Sequence, residues 1–360
     1  MSELKRVLIM AGGTGGHVFP GLAVADYMNQ QGVDVHWLGT AQGIESRLVP
    51  EAGFPLHLIQ IGGLRGKGIK SLIMAPWRIV NAVWQARRII HAVDPNVVIG
   101  MGGFASGPGG LASWLCGVPL VIHEQNAKPG LTNRVLAHLA KRVLSGFPDV
   151  FKASNKVVAI GNPVRVEIAK LPPPSVRVTP ARERFHLLVL GGSLGAKALN
   201  DVVPQALSRL GEDERPEVIH QTGEKHFDEA KKSYESMGVK ANLSPFVKDM
   251  AEVYSWADMV LCRAGALTVA ELCSAGVGAI FVPFPFAVDD HQTANAEFMV
   301  KRGAALCVQQ TELTEARLAD IVVEFSRSPE KRLGMAEAAY ALRQVEVAKK
   351  IYDICREVCR

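Results

Sequence analysis

The sequence predicts an α/β protein built from two parallel-sheet domains. Residues 7–10 (Val-Leu-Ile-Met) form a short apolar run rich in strand formers. Gly12-Gly13-Thr14-Gly15-Gly16-His17 follows, and residues 18–31 then keep helical spacing. This reads as strand, tight glycine turn and helix. The same arrangement returns roughly half a chain later: residues 187–190 are apolar, Gly191-Gly192-Ser193-Leu194-Gly195-Ala196 follows, and a helical pattern opens near Lys197. A length of 360 residues also suits two domains better than one. Glycines let the backbone approach a ligand, and a helix N-terminus offers N–H groups and partial positive charge to an anion. Two such halves facing each other would form a cleft with a glycine turn on each lip, at the strand ends where open α/β sheets bind ligands.

Composition narrows the class. Hydrophobic residues make up 48% and charged residues 21%, which excludes wholesale disorder. The net charge of +5 is mild, and no long basic run with interleaved aromatics argues for nucleic acid. Six scattered cysteines show no C-x-x-C spacing, so neither a zinc site nor a disulfide framework is signalled, and small thiols in a reducing compartment are expected. The first residues lack a signal-peptide layout, which suggests a protein that is not exported.

In chain order, residues 33–38 form the second strand. A dinucleotide-binding domain would want G-x-G-x-x-G in the first turn and an acid at the end of this strand. Val18 stands where the third glycine would be, and the strand ends Leu38-Gly39-Thr40. The Walker pattern fails as well, since Lys197 is followed by Ala198. Residues 52–93 contain no Asp or Glu but carry Arg65, Lys67, Lys70, Arg78, Arg87 and Arg88 among Ile73, Trp77, Val80 and Trp84. A helical segment started or kinked at Pro76 would there present large apolar groups rimmed by cations, which suits an anionic membrane surface; a core helix with solvated basic residues is the plainer alternative. Residues 95–122 lack charge but hold many glycines, with Pro108 and Pro119 inside the stretch. They parse as a strand (97–100), a glycine loop (102–110 at most), a short helix (109–116) and a strand (119–122) rather than a membrane span. A dense polar loop, His123-Glu124-Gln125-Asn126-Ala127-Lys128-Pro129-Gly130, follows, and strand 156–160 leads to Gly161-Asn162-Pro163-Val164-Arg165.

Residues 171–180 are proline-rich and read as a linker. Beyond it, strands are expected at 187–190, 218–220, 259–262, 279–282 and 304–308, and a helical, charged end over the last fifty residues. After Cys262 the run Arg263-Ala264-Gly265-Ala266-Leu267-Thr268-Val269-Ala270-Glu271 places Glu271 in the first turns of a helix, where a carboxylate can grip two neighbouring hydroxyls or compensate the helix dipole. Pro283-Phe284-Pro285-Phe286 and then Asp289-Asp290-His291-Gln292-Thr293-Ala294-Asn295 complete the second half.

Taken together, AGGTGGH-FP, GGFASGP, HEQNA-PG, GNPVR, GGSLGA, CRAGALTVAE and DDHQTANA occur in one order over essentially the whole chain. With them the sequence resembles the MurG family of bacterial peptidoglycan N-acetylglucosaminyltransferases, GT-B glycosyltransferases of family 28. The resemblance implies two Rossmann-like domains, 1–163 plus 341–360 for acceptor and membrane, and 164–340 for the donor, facing a deep cleft. It implies UDP-N-acetylglucosamine as donor, undecaprenyl-pyrophosphoryl-muramoyl-pentapeptide as acceptor, inversion at the sugar carbon, no cofactor and no metal. It implies peripheral attachment to anionic lipids on the cytoplasmic face of the inner membrane, and leaves room for other cell-wall synthesis proteins as partners.

The family's nucleotide site maps onto Arg165, Ser193, Val247, Ala266, Leu267, Thr268, Val269, Ala270, Glu271 and Gln292, with Thr14, Gly15, Gly16 and Asn126 completing it. In that assignment Ser193 and the turn amides hold diphosphate, Glu271 the ribose, the Val247 backbone the uracil, and His291 with Gln292 the sugar hydroxyls. His17 is the first choice for the general base, because imidazole titrates near neutral pH; Glu124 is its rival. Lys67, Lys70, Ile73, Trp77, Arg78 and Trp84 form the membrane face. A UDP-sugar epimerase on the same fold and a non-catalytic nucleotide-sugar sensor are the alternatives.

Overall fold

The computed structural model describes residues 3–62, 74–177, 184–192 and 195–359. The chain divides into two compact units, Met1–Pro163 with Glu346–Arg360, and Val164–Val345. The return to the first unit thus falls at Glu346, five residues later than the expected 341; Glu346 itself has left-handed backbone (φ 55°, ψ 33°) before the final helix.

In the first unit the strands are β1 (Arg6–Ala11), β2 (Asp34–Gly39), β3 (Leu56–Leu58), β4 (Val97–Gly102), β5 (Leu120–Glu124), β6 (Arg142–Ser145) and β7 (Val157–Ala159). All pair in parallel, in the order β3-β2-β1-β4-β5-β6-β7. Helices cover both faces, so the central strands read as continuous apolar runs. Strand alternation divides the core. Val7, Ile9, Val97 and Ile99 face α1 (Gly15–Gln30) and the C-terminal helix (Val347–Val358), which contributes Val347, Ile351 and Cys355 at four-residue spacing. Leu8, Met10, Val98 and Ile122 face the opposite layer. There α3 (Ala75–Val93), α4 (Ser106–Leu115) and α5 (Leu131–Leu139) pack, while α2 (Glu45–Glu51) sets Val49 in the layer of α1.

Of the start or kink expected at Pro76 the structure shows the start, and α4 differs from expectation. Helix α3 opens at Ala75, with Pro76 in its first turn where a missing N–H costs nothing. Helix α4 opens at Ser106, so half of the expected glycine loop is helix. Its glycines serve packing: a Cβ at Gly109 would lie 2.2 Å from Met10 Sδ, and one at Gly110 2.7 Å from a Leu136 methyl. The helix lies closer to the sheet and to α5 than any side chain allows.

In the second unit short helices α6 (Val166–Ala169) and α7 (Pro174–Arg177) precede β8 (His186–Leu190), α8 (Lys197–Ser208), β9 (Glu217–Gln221), α9 (Phe227–Ser236) and β10 (Asn242–Ser244). Then come α10 (Met250–Trp256), β11 (Met259–Cys262), α11 (Ala266–Ala275), β12 (Gly278–Phe281), α12 (His291–Val300), β13 (Ala305–Cys307), α13 (Glu315–Ser326) and α14 (Pro329–Ala341). The sheet is again parallel, in the order β10-β9-β8-β11-β12-β13. Asp249 caps α10 by accepting from Glu252 N (2.9 Å), and Thr314 caps α13 by accepting from Arg317 N (3.2 Å). Both sheets therefore reverse strand order beside their first strand, at β1/β4 and β8/β11, which is where open α/β sheets place ligand sites.

All six cysteines are free thiols. Burial pushes the thiols of Cys262, Cys273 and Cys355 well above their ordinary pKa, that of Cys273 to about 12, which makes them inert packing groups.

Candidate functional site

In the first unit the glycine turn after β1 runs into α1. Its N-cap, Thr14, is extended (φ −122°, ψ 160°) and uses no side-chain cap. The first-turn N–H groups of a helix lack intrahelical partners, so this end suits an anion. Thr14 and Gly16 are exposed, and Gly15 and His17 half-buried. The turn is held from within by Glu45, a fully buried acid. Its carboxylate accepts from Gly13 N (2.9 Å), Thr40 N (3.0 Å) and Thr40 Oγ1 (2.8 Å). The acid missing from the end of β2 is thus present one turn later, and it grips the glycine turn instead of a ribose.

The second glycine loop closes on the first. Gly102 and Gly103 have φ of 102° and 89°. A Cβ on Gly103 would lie 2.2 Å from Gly12 O, and one on Gly102 would lie 2.6 Å from His17 Nδ1. The two turns touch backbone to backbone, and the imidazole of His17 fills the space that Gly102 leaves.

His17 Nδ1 lies 3.0 Å from Gln125 Oε1. Gln125 Nε2 is 3.1 Å from His123 Nδ1, and His123 Nε2 is 2.8 Å from Gly161 O. Glu124 points elsewhere. It is 2% exposed. Its Oε1 accepts from Asn126 N (3.0 Å) and Asn126 Nδ2 (3.2 Å), and its Oε2 from Gly130 N (3.1 Å) and Asn133 Nδ2 (2.9 Å). A carboxylate has about four lone-pair sites, and here four donors already use them. Glu124 orders the 125–130 loop, and Asn126 is one of the groups it holds.

In the second unit the N-terminus of α11 lies at the end of β11, capped by the extended backbone of Gly265. Ala266 and Val269 are buried, while Leu267, Thr268 and Ala270 are partly exposed. Glu271 is 4% exposed and takes no part in capping. Its Oε1 accepts from Arg165 Nη2 (2.8 Å) and Nε (3.2 Å), and its Oε2 from Tyr254 Oη (3.1 Å). Burial raises the pKa of Glu271, and Arg165 and Tyr254 offset part of that rise. Tyr254 is fully buried, and burial with the adjacent carboxylate lifts its pKa far above that of free phenol. A pocket of about 360 Å³ opens beside Arg165, lined also by Lys248, Asp249 and Met250; Val247, the residue before Lys248, is buried and does not line it.

His291 and Gln292 form the first turn of α12, both half-buried. Gln292 Oε1 accepts from Phe284 N (2.9 Å), which orients its amide. Asp289 and Asp290 just before it both take left-handed backbone (φ 55° and 50°). Such strain costs of order 1–3 kcal/mol per residue and clusters at ligand clamps. Ser193, Lys67, Lys70 and Ile73 lie outside the described residues.

On α3, Ala82, Val83, Ala86 and Ile90 point inward. Trp77 is 70% exposed, Val80 61% and Trp84 50%, with Arg88 stacked 3.6 Å over the Trp84 ring; Arg78 is exposed. Helix α4, packed beside it, exposes Trp114, and α5, packed on α4, exposes Leu131 and Val135. No helix among the described residues is long and apolar enough to cross a membrane.

Sequence reasoning did not single out Glu45, Gln125, His123, Asn133 or Tyr254. The HEQN run was a visible signal for two of them; for Glu45 and Tyr254 no local signal exists.

Two parallel sheets in one chain, each reversing beside a strand that ends in a glycine turn, are the architecture of GT-B glycosyltransferases. The chain belongs to glycosyltransferase family 28. Residues 7–145 match the glycosyltransferase family 28 N-terminal domain, and residues 186–352 the C-terminal domain. A relative from Aeromonas hydrophila subsp. hydrophila, named UDP-N-acetylglucosamine–N-acetylmuramyl-(pentapeptide) pyrophosphoryl-undecaprenol N-acetylglucosamine transferase, is 52% identical over 354 residues, 98% of this chain and 97% of its own. One of the same name from Azotobacter vinelandii is 52% identical over 355 residues, 99% of each. The crystal structure of Acinetobacter baumannii MurG superposes with a TM-score of 0.85 at 40% identity, covering 98% of this chain and 99% of that one. A UDP-GlcNAc 2-epimerase from Neisseria meningitidis shares the fold alone, at 13% identity and a TM-score of 0.66.

Proposed function

We propose that this protein transfers N-acetylglucosamine from UDP-N-acetylglucosamine to the 4-hydroxyl of undecaprenyl-pyrophosphoryl-muramoyl-pentapeptide, with inversion to a β-1,4 linkage. The observation that carries the reading is identity of about one half, over nearly the whole chain, to relatives named for that transfer.

The chemistry follows from named groups. The donor carbon is α-linked to UDP, so a single in-line displacement gives the β product. His17 Nε2 takes the proton as the acceptor oxygen attacks. The bond to the β-phosphate oxygen breaks, and its electron pair leaves with UDP. Glycine-turn amides and helix N-termini stabilise the departing diphosphate. His17 is favoured over Glu124 because the Glu124 oxygens already accept four hydrogen bonds. In the second unit Glu271 receives the ribose, the Val247 backbone the uracil, and His291 with Gln292 the sugar, with Arg165 completing the nucleotide site.

Exposed Trp77, Val80 and Trp84, extended by Trp114, Leu131 and Val135, support peripheral docking on the inner face of the membrane, where the lipid acceptor lies. UDP release tests the function. It should require both the donor and the lipid-linked muramoyl acceptor. Conversion of the donor without acceptor would instead favour an epimerase, and donor binding with no UDP release under any condition a sensor.

A further inference from the structure

Three motifs far apart in the chain meet in one file of hydrogen bonds within the first unit. Gly161 O lies 2.8 Å from His123 Nε2, His123 Nδ1 lies 3.1 Å from Gln125 Nε2, and Gln125 Oε1 lies 3.0 Å from His17 Nδ1. The direction of each bond is dictated by the one before it. A carbonyl oxygen only accepts, so the proton of His123 sits on Nε2. His123 is fully buried, and burial pushes its pKa down to about 4, so at neutral pH its Nδ1 carries a lone pair. Gln125 must then turn its amide NH2 toward that lone pair, which aims its Oε1 at His17. That oxygen also only accepts, so the hydrogen of His17 sits on Nδ1 and its Nε2 keeps a lone pair.

The file is anchored against rotation. Gln125 Nε2 also approaches His123 O (3.3 Å), and Asn162 Nδ2 donates to Gln125 O (3.0 Å). Gly161 and Asn162 are neighbours in the GNPVR motif, so that motif holds His123 at the end of the file and the backbone of Gln125 in its middle. Gly102, without a side chain, leaves room for the His17 ring in this pose.

We propose that Gln125 and His123 are positioning residues that set the tautomer of His17 and keep Nε2 as its basic nitrogen. The inference rests on His17 being the base. Free imidazole favours the opposite tautomer, with hydrogen on Nε2, and in that form the nitrogen assigned to the acceptor could take no proton. Fixing a tautomer through a second residue is how other catalytic histidines are oriented, and loss of such a partner costs about 10- to 100-fold or more in turnover.

The test reads the tautomer directly, by ¹⁵N NMR of ring-labelled histidine, with His17→Ala assigning the signals. In the parent, neutral His17 should carry its hydrogen on Nδ1. Gln125→Met keeps the bulk and removes both polar ends; it should return His17 toward the Nε2–H form and lower kcat about 10- to 100-fold, with the donor KM within about twofold. Gln125→Glu retains an acceptor toward Nδ1 and should keep the Nδ1–H form. Nε2–H in the parent, or Nδ1–H persisting in Gln125→Met, overturns the proposal, and the parent spectrum alone can do so should a variant misfold. The base reading fails separately: if the tautomers respond as stated yet His17→Ala retains full kcat, the file sets the tautomer of a residue that is not the base.

Discussion

Replacing Glu271 by Gln separates the binding role of this carboxylate from its effect on stability. Two carboxylate oxygens offer about four acceptor positions. In the structure Arg165 Nη2 and Nε use two on Oε1, and Tyr254 Oη one on Oε2. One position is left, so the bound ribose gains one hydrogen bond to an ionised acceptor unless Arg165 or Tyr254 moves. Such a bond contributes roughly 1.5–3 kcal/mol. At 1.4 kcal/mol per factor of ten, Glu271→Gln should weaken UDP-N-acetylglucosamine binding about 10- to 100-fold, not the square of that.

Stability should move the other way. Burial raises the pKa of Glu271 above its ordinary 4.5. A raised carboxyl pKa means that the folded state prefers the protonated form. That contribution is fully present below the unfolded pKa and is lost as pH rises through the folded value. At neutral pH the ionised side chain is therefore a net cost to the fold. The neutral amide should melt at a higher temperature than the parent at pH 7, with the gap closing as pH falls through the titration of Glu271. Calorimetric titration with the donor and thermal melts across pH measure both effects. An unchanged dissociation constant refutes the ribose assignment, and a lower melting temperature at pH 7 refutes the electrostatic argument.

Three further outcomes are expected. Glu124→Ala strips four donors of their shared buried acceptor and should cost at least ~2 kcal/mol in urea unfolding; a loss below about 0.5 kcal/mol would contradict the ordering role. Gly102→Ala brings a methyl 2.6 Å from His17 Nδ1 at a φ of 102°, so it should lower kcat by displacing the imidazole while donor affinity in calorimetry stays within about twofold; parental kcat would show that the ring has room to spare. Serine at both Trp77 and Trp84 should abolish co-sedimentation with anionic vesicles and leave donor binding intact, and vesicle binding equal to the parent would move the docking face elsewhere.

Most of the scaffold is legible in the sequence, because buried parallel strands announce themselves as apolar runs and glycine turns mark their ends. Helix α4 was less so. A stretch holding Gly107, Gly109 and Gly110 has poor helix propensity, and only the approach to Met10 and Leu136 shows why glycine is needed inside a helix. At the site, residue types were readable and partnerships were not. Glu124 stands out as an acid in a polar loop, but its four donors come from a fold that brings Asn133 back from α5. Glu271 stands out on α11, while Tyr254, which shares it, sits on α10 with nothing in its surroundings to mark it. Glu45 holds the glycine turn across 32 residues of chain. Such pairings are set by strand order and helix packing, which no local pattern encodes.

The central claim is an inverting transfer of N-acetylglucosamine to a lipid-linked muramoyl acceptor. Its most direct test is the anomeric configuration of the product, read by NMR after incubation with donor labelled in the sugar. Label in the lipid fraction, with the large H1–H2 coupling of a β-linked sugar, is the predicted result. An α-linked product, or label that stays entirely in soluble sugar nucleotide while the acceptor is unchanged, would contradict it.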